Sequence, residues 1–269
     1  MSLSINSASG ANFALNALAK SSKMMTEAME RLSTGKKINR SSDDPAGFQK
    51  IIRLKSQIQG MKVASKNTAD GQSLLNVTDG ALEEVQTILL RMRELSVQAI
   101  SGTNTTSDRV SINAEITALE IEITRIGSNT SHAGQEVFTS EAKFLQIGPN
   151  SGDSFVINQF TLSADTLGLN TDVLTETNSQ NYLSIIDYAI VTISGKRGTL
   201  GASINRLGHV ISNLDNMKLN LSKSKGLIED TDFAFEIAKL VKAKILQQAA
   251  IYMLAQANTR KAMILKLLE

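Results

Sequence analysis

Twelve positions from Leu183 to Leu221 follow one another in alternating steps of three and four: Leu183, Ile186, Ile190, Ile193, Arg197, Leu200, Ile204, Leu207, Ile211, Leu214, Lys218 and Leu221. Ten of the twelve are Leu or Ile; Arg197 and Lys218 are the exceptions. A seven-residue repeat sustained this far lays one apolar stripe along a helix and demands a helical partner. The partner of matching length is Pro45–Ile100, where Leu74, Val77, Ala81, Val85, Ile88, Met92, Leu95 and Ala99 keep the same spacing. If continuous, that helix is about 80 Å long, too long for the core of a compact domain of this size, so an elongated arrangement is expected. Gly60, Gly71 and Gly80 count against continuity, since a helix-interior glycine costs about 1 kcal/mol relative to alanine. Gly195, Gly198, Gly201 and Gly208 read as places where the second helix is closely approached.

The polar turn SGTNTTSD, 101–108, separates the first long helix from a shorter one running back, marked by Ile116, Leu119, Ile123 and Ile126. Between about 136 and 178 the period changes. Phe144–Ile147 and Ser154–Leu162 read as strands about the turn Gly148–Asp153, a β-hairpin, and DTLGL at 165–169 closes this region. Two polar stretches act as domain joints. In LSTGKKINRSSDDPAG, Asp43 or Asp44 caps the helix that Pro45 begins; the other joint is KSKGLIED, 223–230, around Gly226. The expected fold is therefore mainly α: a long antiparallel helical bundle or coiled coil with a small β-hairpin region. The chain's N- and C-terminal helices pair in a separate coiled-coil domain, 1–42 with 231–269, and 43–230 form a rod of three long helices.

The N-terminal helix carries Ala11, Leu15, Leu18, Met25, Met29 and Leu32 near heptad spacing, with Ser22 as the weak position. The C-terminal helix differs in kind. In ILQQAAIYMLAQANT, 245–259, ten of the first thirteen residues are apolar and they point all round the helix. The run spans roughly 22 Å against the about 30 Å of a bilayer core, and its glutamines suit helix-to-helix packing better. Two thin helices cannot cover such a segment, so copies from other chains are the expected wrapping, and assembly is expected to order these ends. Filament-core packing is assigned to Leu18, Met25, Met29, Leu32, Ile237, Leu240, Val241, Ile245, Ile251 and Leu254.

Composition removes other classes. With 28 basic and 26 acidic residues and no basic face, there is no electrostatic case for nucleic acid. The absence of cysteine excludes disulfide and thiolate chemistry. His132 and His209 fit no metal-ligand spacing, and Asp43–Asp44 and Glu83–Glu84 read as a helix cap and a solvated face. No catalytic, cofactor or metal site is assigned, and no enzyme activity is expected. Met1–Ala19 carries no charged side chain and lacks the apolar core of a cleavable secretion signal.

Several blocks in order, ERLSTGKKINRSSDDPAG (30–47), NTADGQSLLNVTDGALEEV (67–85), RMRELSVQA (91–99), FLQIGPNSGDSF (144–155), DTLGL (165–169) and SKGLIEDTDFAFEIAKLVKAKILQQAAIYMLAQAN (224–258), resemble a bacterial flagellin of the short form without an outer variable domain. The resemblance implies an extracellular structural subunit that self-assembles into the flagellar filament for motility. It also implies type III export and an export chaperone on the C-terminal helix. Further implied partners are filament-cap and hook-junction proteins. Carried onto RMRELSVQA and EIEITRIG, it marks Arg91, Leu95 and Glu122 as a rod interface and contact for a host Toll-like receptor. The chain departs from the family at Leu90, often Gln, at Ser131-His132-Ala133-Gly134 in place of Gln-Phe-Asn-Gly, and at Arg260 and Lys261 where a proline usually follows QAN. The alternatives are a periplasmic or minor flagellin and, from another class, a secreted membrane-inserting helical bundle.

Overall fold

The computed structural model describes residues 9–266, with side-chain surroundings from 10 to 259. In order, the elements are α1 (Ser9–Thr34), α2 (Pro45–Ile100), α3 (Thr106–Asn129), β1 (Ser131–His132), β2 (Gln135–Glu136), β3 (Lys143–Gln146), β4 (Ser154–Ile157), a single 3₁₀ turn (Asp165–Leu167), α4 (Glu176–Glu229) and α5 (Phe233–Lys266). The chain is mainly α, with two small antiparallel hairpins, and forms two compact units, Met1–Ser56 with Asn220–Glu269 and Gln57–Leu219.

In the second unit every position of the α4 stripe up to Lys218 is buried or half-buried, as a repeat facing a partner requires. Arg197 keeps its place in the stripe because α2 answers it: its guanidinium donates to Asp79 Oδ1 at 2.9 Å and Gln86 Oε1 at 2.9 Å. Arg93 donates to Asp187 at 2.7 Å, which with Arg197–Asp79 makes α2 and α4 antiparallel. The core joins Leu75, Leu82, Leu89 and Met92 of α2 to Ile116 and Ile123 of α3 and Tyr182, Ile186 and Ile193 of α4. Thr68, Thr78 and Ser96 are buried on α2 without cost in unpaired hydroxyls, since each donates to the carbonyl four residues back at 2.7–2.8 Å.

Two of the glycines that count against a continuous α2 are seats for the hairpin. A Cβ at Gly71 would fall on the Leu145 side chain of β3, and one at Gly60 would come within 3.0 Å of Pro149 in the hairpin turn. The α4 glycines behave oppositely. Among the described residues nothing lies within 4 Å of a Cβ built at Gly195, Gly198, Gly201 or Gly208, so the close contact expected of them is not made there.

The α3 helix starts inside the expected turn because Thr105 and Asp108 cap each other: Asp108 N donates to Thr105 Oγ1 at 3.3 Å and Thr105 N to Asp108 Oδ2 at 2.8 Å. The expected second strand, Ser154–Leu162, stops at Ile157. Its partner Lys143 is the first residue of β3, so residues beyond Ile157 have no strand to pair with. The β1–β2 hairpin has no periodic signal and turns through Ala133 (φ 51°) and Gly134 (φ 78°).

The joint expected at 223–230 is helical to Glu229, with Gly226 inside α4, and only Asp230–Asp232 lie between α4 and α5. The compact units likewise divide inside α2 and α4, at Ser56/Gln57 and Leu219/Asn220. The physical reason is a clasp that ties the connection between α1 and α2 to the end of α4 and the short connection that follows it. Lys37 N donates to Glu229 O at 2.7 Å and Thr231 N to Gly35 O at 3.0 Å, about an antiparallel bridge between Lys36 and Asp230.

Candidate assembly surface

In the first unit α1 and α5 run antiparallel, with Arg31 beside Glu236 and Ala14 and Ala250 lining one groove. The buried seam consists of small residues. Ala14, Ser21 and Ala28 of α1 and Ala243 and Ala250 of α5 are buried, with Glu236 at the end of the same α5 stripe. The seam expected on α1 is therefore displaced by one residue. Leu18, Met25 and Leu32 flank it half-buried, whereas Leu15 and Met29 are exposed. Alanine and serine on both helices hold the interface, and the large side chains are left outside it.

Turning α5 about its axis at 100° per residue puts its seam within about 60° of Glu236. Phe233, Phe235, Ile237, Val241, Ile245, Leu246, Ile251, Tyr252 and Met253 occupy the rest of the circumference, all exposed. Ile245 is 59 % exposed and Tyr252 77 % exposed. On α1, Phe13 is 77 % exposed. Of the residues assigned to filament-core packing, Leu240 and Leu254 lean on the seam with Leu18, Met25 and Leu32, while Met29, Ile237, Val241, Ile245 and Ile251 face outward. Between the helices runs an apolar groove of about 520 Å³ that includes Phe13, Met24, Leu246 and Met253. An apolar arc of this extent is far more than scattered surface residues and marks a contact surface. Tyr252 and Met253 belong to the all-round apolar run 245–259, whereas Phe13, Phe233 and Phe235 lie outside it and outside the periodic positions of α1. Arg260 and Lys261 fall outside the residues whose side chains are described.

The polar clasp at the base of this pair is electrostatically set. Glu229 is buried, which alone would raise its pKa, but Lys36 at 2.5 Å and Lys225 at 3.3 Å outweigh burial and hold it below the usual carboxylate range. Asp43 is lowered by the backbone N–H groups of Arg40 and Asn39, which donate to it at 2.9 and 3.0 Å. Asp44 caps α2, accepting from Ala46 N at 3.1 Å and Gly47 N at 3.0 Å, with Pro45 as the first helical residue. A side chain on Gly47 would run into Asp44 and Ile38, so the cap needs that glycine.

Arg91, Leu95 and Glu122 do not share one surface. Arg91 is exposed, donates to Glu115 at 2.9 Å and to Glu94 at 3.2 Å, and its pKa is raised chiefly by the Glu115 bond. Glu122 is lowered by its paired bonds from Arg125 at 2.6 and 2.7 Å. Leu95 is 2 % exposed and belongs to the core. The exposed apolar residues on that stretch of α2 are Leu90 and Val97.

Comparison with known proteins decides the family. The family profile for the bacterial flagellin N-terminal helical region matches residues 5–143, and that for the bacterial flagellin C-terminal helical region matches residues 183–268. The chain belongs to the bacterial flagellin family. It is 40 % identical to a flagellin of Halalkalibacterium halodurans over 90 % of this chain and 91 % of that one. It is 29 % identical to flagellin B of Vibrio cholerae, with both chains covered in full. Among solved structures, Bacillus cereus flagellin matches 55 % of this chain and 88 % of its own, at 31 % identity and a TM-score of 0.51. A structure described as a flagellar hook-associated protein from Vibrio parahaemolyticus, 18 % identical, shares the fold over 70 % of this chain and 99 % of its own, with a TM-score of 0.59. This flagellin is a structural subunit of a bacterial flagellar filament.

Proposed function

We propose that the outward arc of α5, with α1, is the surface through which copies of this flagellin polymerise, the terminal helices lining the inner tube of an extracellular motility filament. The observation that carries this reading is the exposure of nine large apolar residues on α5, Phe233 to Met253, on every side not occupied by α1. Burial of one such side chain stabilises by about 1.5–3 kcal/mol, so an assembly that covers several of them has ample driving force. Among the described residues no helix is long and apolar enough to cross a membrane, and family membership favours filament over membrane insertion. Before polymerisation the same arc suits an export chaperone, and at filament ends it suits cap and hook-junction proteins. For a Toll-like receptor the reading now rests on Arg91 and Glu122 with Leu90 as the apolar neighbour, since Leu95 is buried. The protein performs no catalysis on this reading.

The test is seeded growth. Full-length subunits added to filament fragments elongate them, whereas subunits lacking Phe235–Glu269 do not, although their far-UV spectrum shows residues 57–219 still folded. Elongation by the truncated chain sinks the assembly role of α5.

A further inference from the structure

The seam between α1 and α5 carries little information about register. Ala14, Ser21 and Ala28 lie seven residues apart, as do Ala243, Ala250 and Ala257. Sliding one helix along the other by one heptad, about 10 Å, sets small residues on small residues again. In a filament, where α1 and α5 of many copies lie side by side, such a slip would displace the whole apolar arc.

One group breaks the degeneracy. Glu236 occupies the heptad position before Ala243, and its side chain is only 3 % exposed. Its Oε1 accepts from Arg31 Nη1 at 2.9 Å. Its Oε2 is buried without a hydrogen bond, with the Lys239 ammonium 3.8 Å away on the same helix. Arg31 has no counterpart one heptad away in either direction, since those positions are Met24 and Ile38. A slipped pair therefore buries Glu236 without its arginine. Buried, half-satisfied ion pairs contribute little net stability but strongly disfavour arrangements that separate the partners, as single polar groups do in coiled-coil seams.

We propose that Arg31–Glu236 is the register-setting pair of the terminal coil, positioning the apolar arc for assembly. The inference rests on the assembly reading only for its consequence in filaments. The competing account is that the backbone bridge between Lys36 and Asp230 fixes register alone.

The cysteine-free sequence allows a direct test. Subunits carrying Lys23→Cys and Gln248→Cys, both at exposed positions, are spin-labelled, diluted into excess unlabelled full-length chain, and grown from seeds. Electron–electron double resonance then reads the distance between labels. With Arg31 and Glu236 intact one distance is expected. Glu236→Leu should add a second distance population that reports an axial slip of one heptad, about 10 Å of rise, and Arg31→Glu combined with Glu236→Arg should restore the single distance. A single unchanged distance in Glu236→Leu overturns the proposal in favour of the backbone bridge. If Glu236→Leu subunits fail to incorporate, recovery of incorporation by the charge-swapped pair supports the proposal and equal failure of that pair overturns it. Growth of the unlabelled chain is scored separately, so failure of polymerisation itself is not confused with failure of register.

Discussion

Replacing Tyr182 by Phe probes the only fully buried tyrosine of the described core in a way that pH can read. The ring packs among α2, α3 and α4 residues, and its hydroxyl donates to Glu120 Oε1 at 2.5 Å. Burial raises the Glu120 pKa, the Tyr182 bond partly offsets this, and nearby Asp165 adds to the rise. Above the raised folded value the carboxylate is ionised in both folded and unfolded chains, and losing the donor removes a bond to a charged group worth about 1.5–3 kcal/mol. Below the unfolded value the carboxyl is neutral in both states, and the lost bond is worth only about 0.5–1.5 kcal/mol. Because the folded pKa is raised, stability from this group falls as pH rises from the unfolded value through the folded one. Tyr182→Phe lifts the folded value further and deepens that fall by about 1 kcal/mol between pH 4 and pH 7. Denaturant unfolding followed by circular dichroism, repeated across that range, measures the difference. An equal loss at both ends would refute the coupling between Tyr182 and Glu120.

Two other predictions follow from backbone geometry. Ala133→Asn should stabilise the β1–β2 turn by about 0.5–1 kcal/mol in the same unfolding assay, because Asn tolerates the positive φ that alanine adopts there at a cost. Changing Gly195, Gly198, Gly201 and Gly208 to Ala should stabilise the soluble subunit by about 0.5–1 kcal/mol each, since every added Cβ meets open space; slower hydrogen exchange along α4 is the second readout.

The long helices were legible because a three-and-four spacing survives single exceptions, and Arg197 shows why: the exception was matched by Asp79 and Gln86 on the facing helix. The terminal seam was legible only in kind. Periodicity weighted by size followed Leu15, Leu18, Met25 and Met29, whereas the interface chose Ala14, Ser21 and Ala28, whose seven-residue spacing was equally present in the sequence. A helix pair that buries its small residues and leaves its large apolar ones exposed inverts the usual weighting. KSKGLIED looked like a joint by composition, yet Lys225 and Lys36 pair with Glu229 and the helix runs through. Leu95 looked like core by spacing and is core, which separates it from the exposed Arg91.

Site-specific labelling in the cysteine-free chain tests the central claim most directly. Ile245→Cys places one thiol on the outward face of α5, at a position 59 % exposed in the subunit. The assembly account predicts rapid reaction with a maleimide in the soluble subunit and at least about a hundredfold slower reaction after seeded polymerisation, as a buried thiol requires. Equal rates in subunit and filament would contradict it, because the arc would then remain in water where the filament is complete.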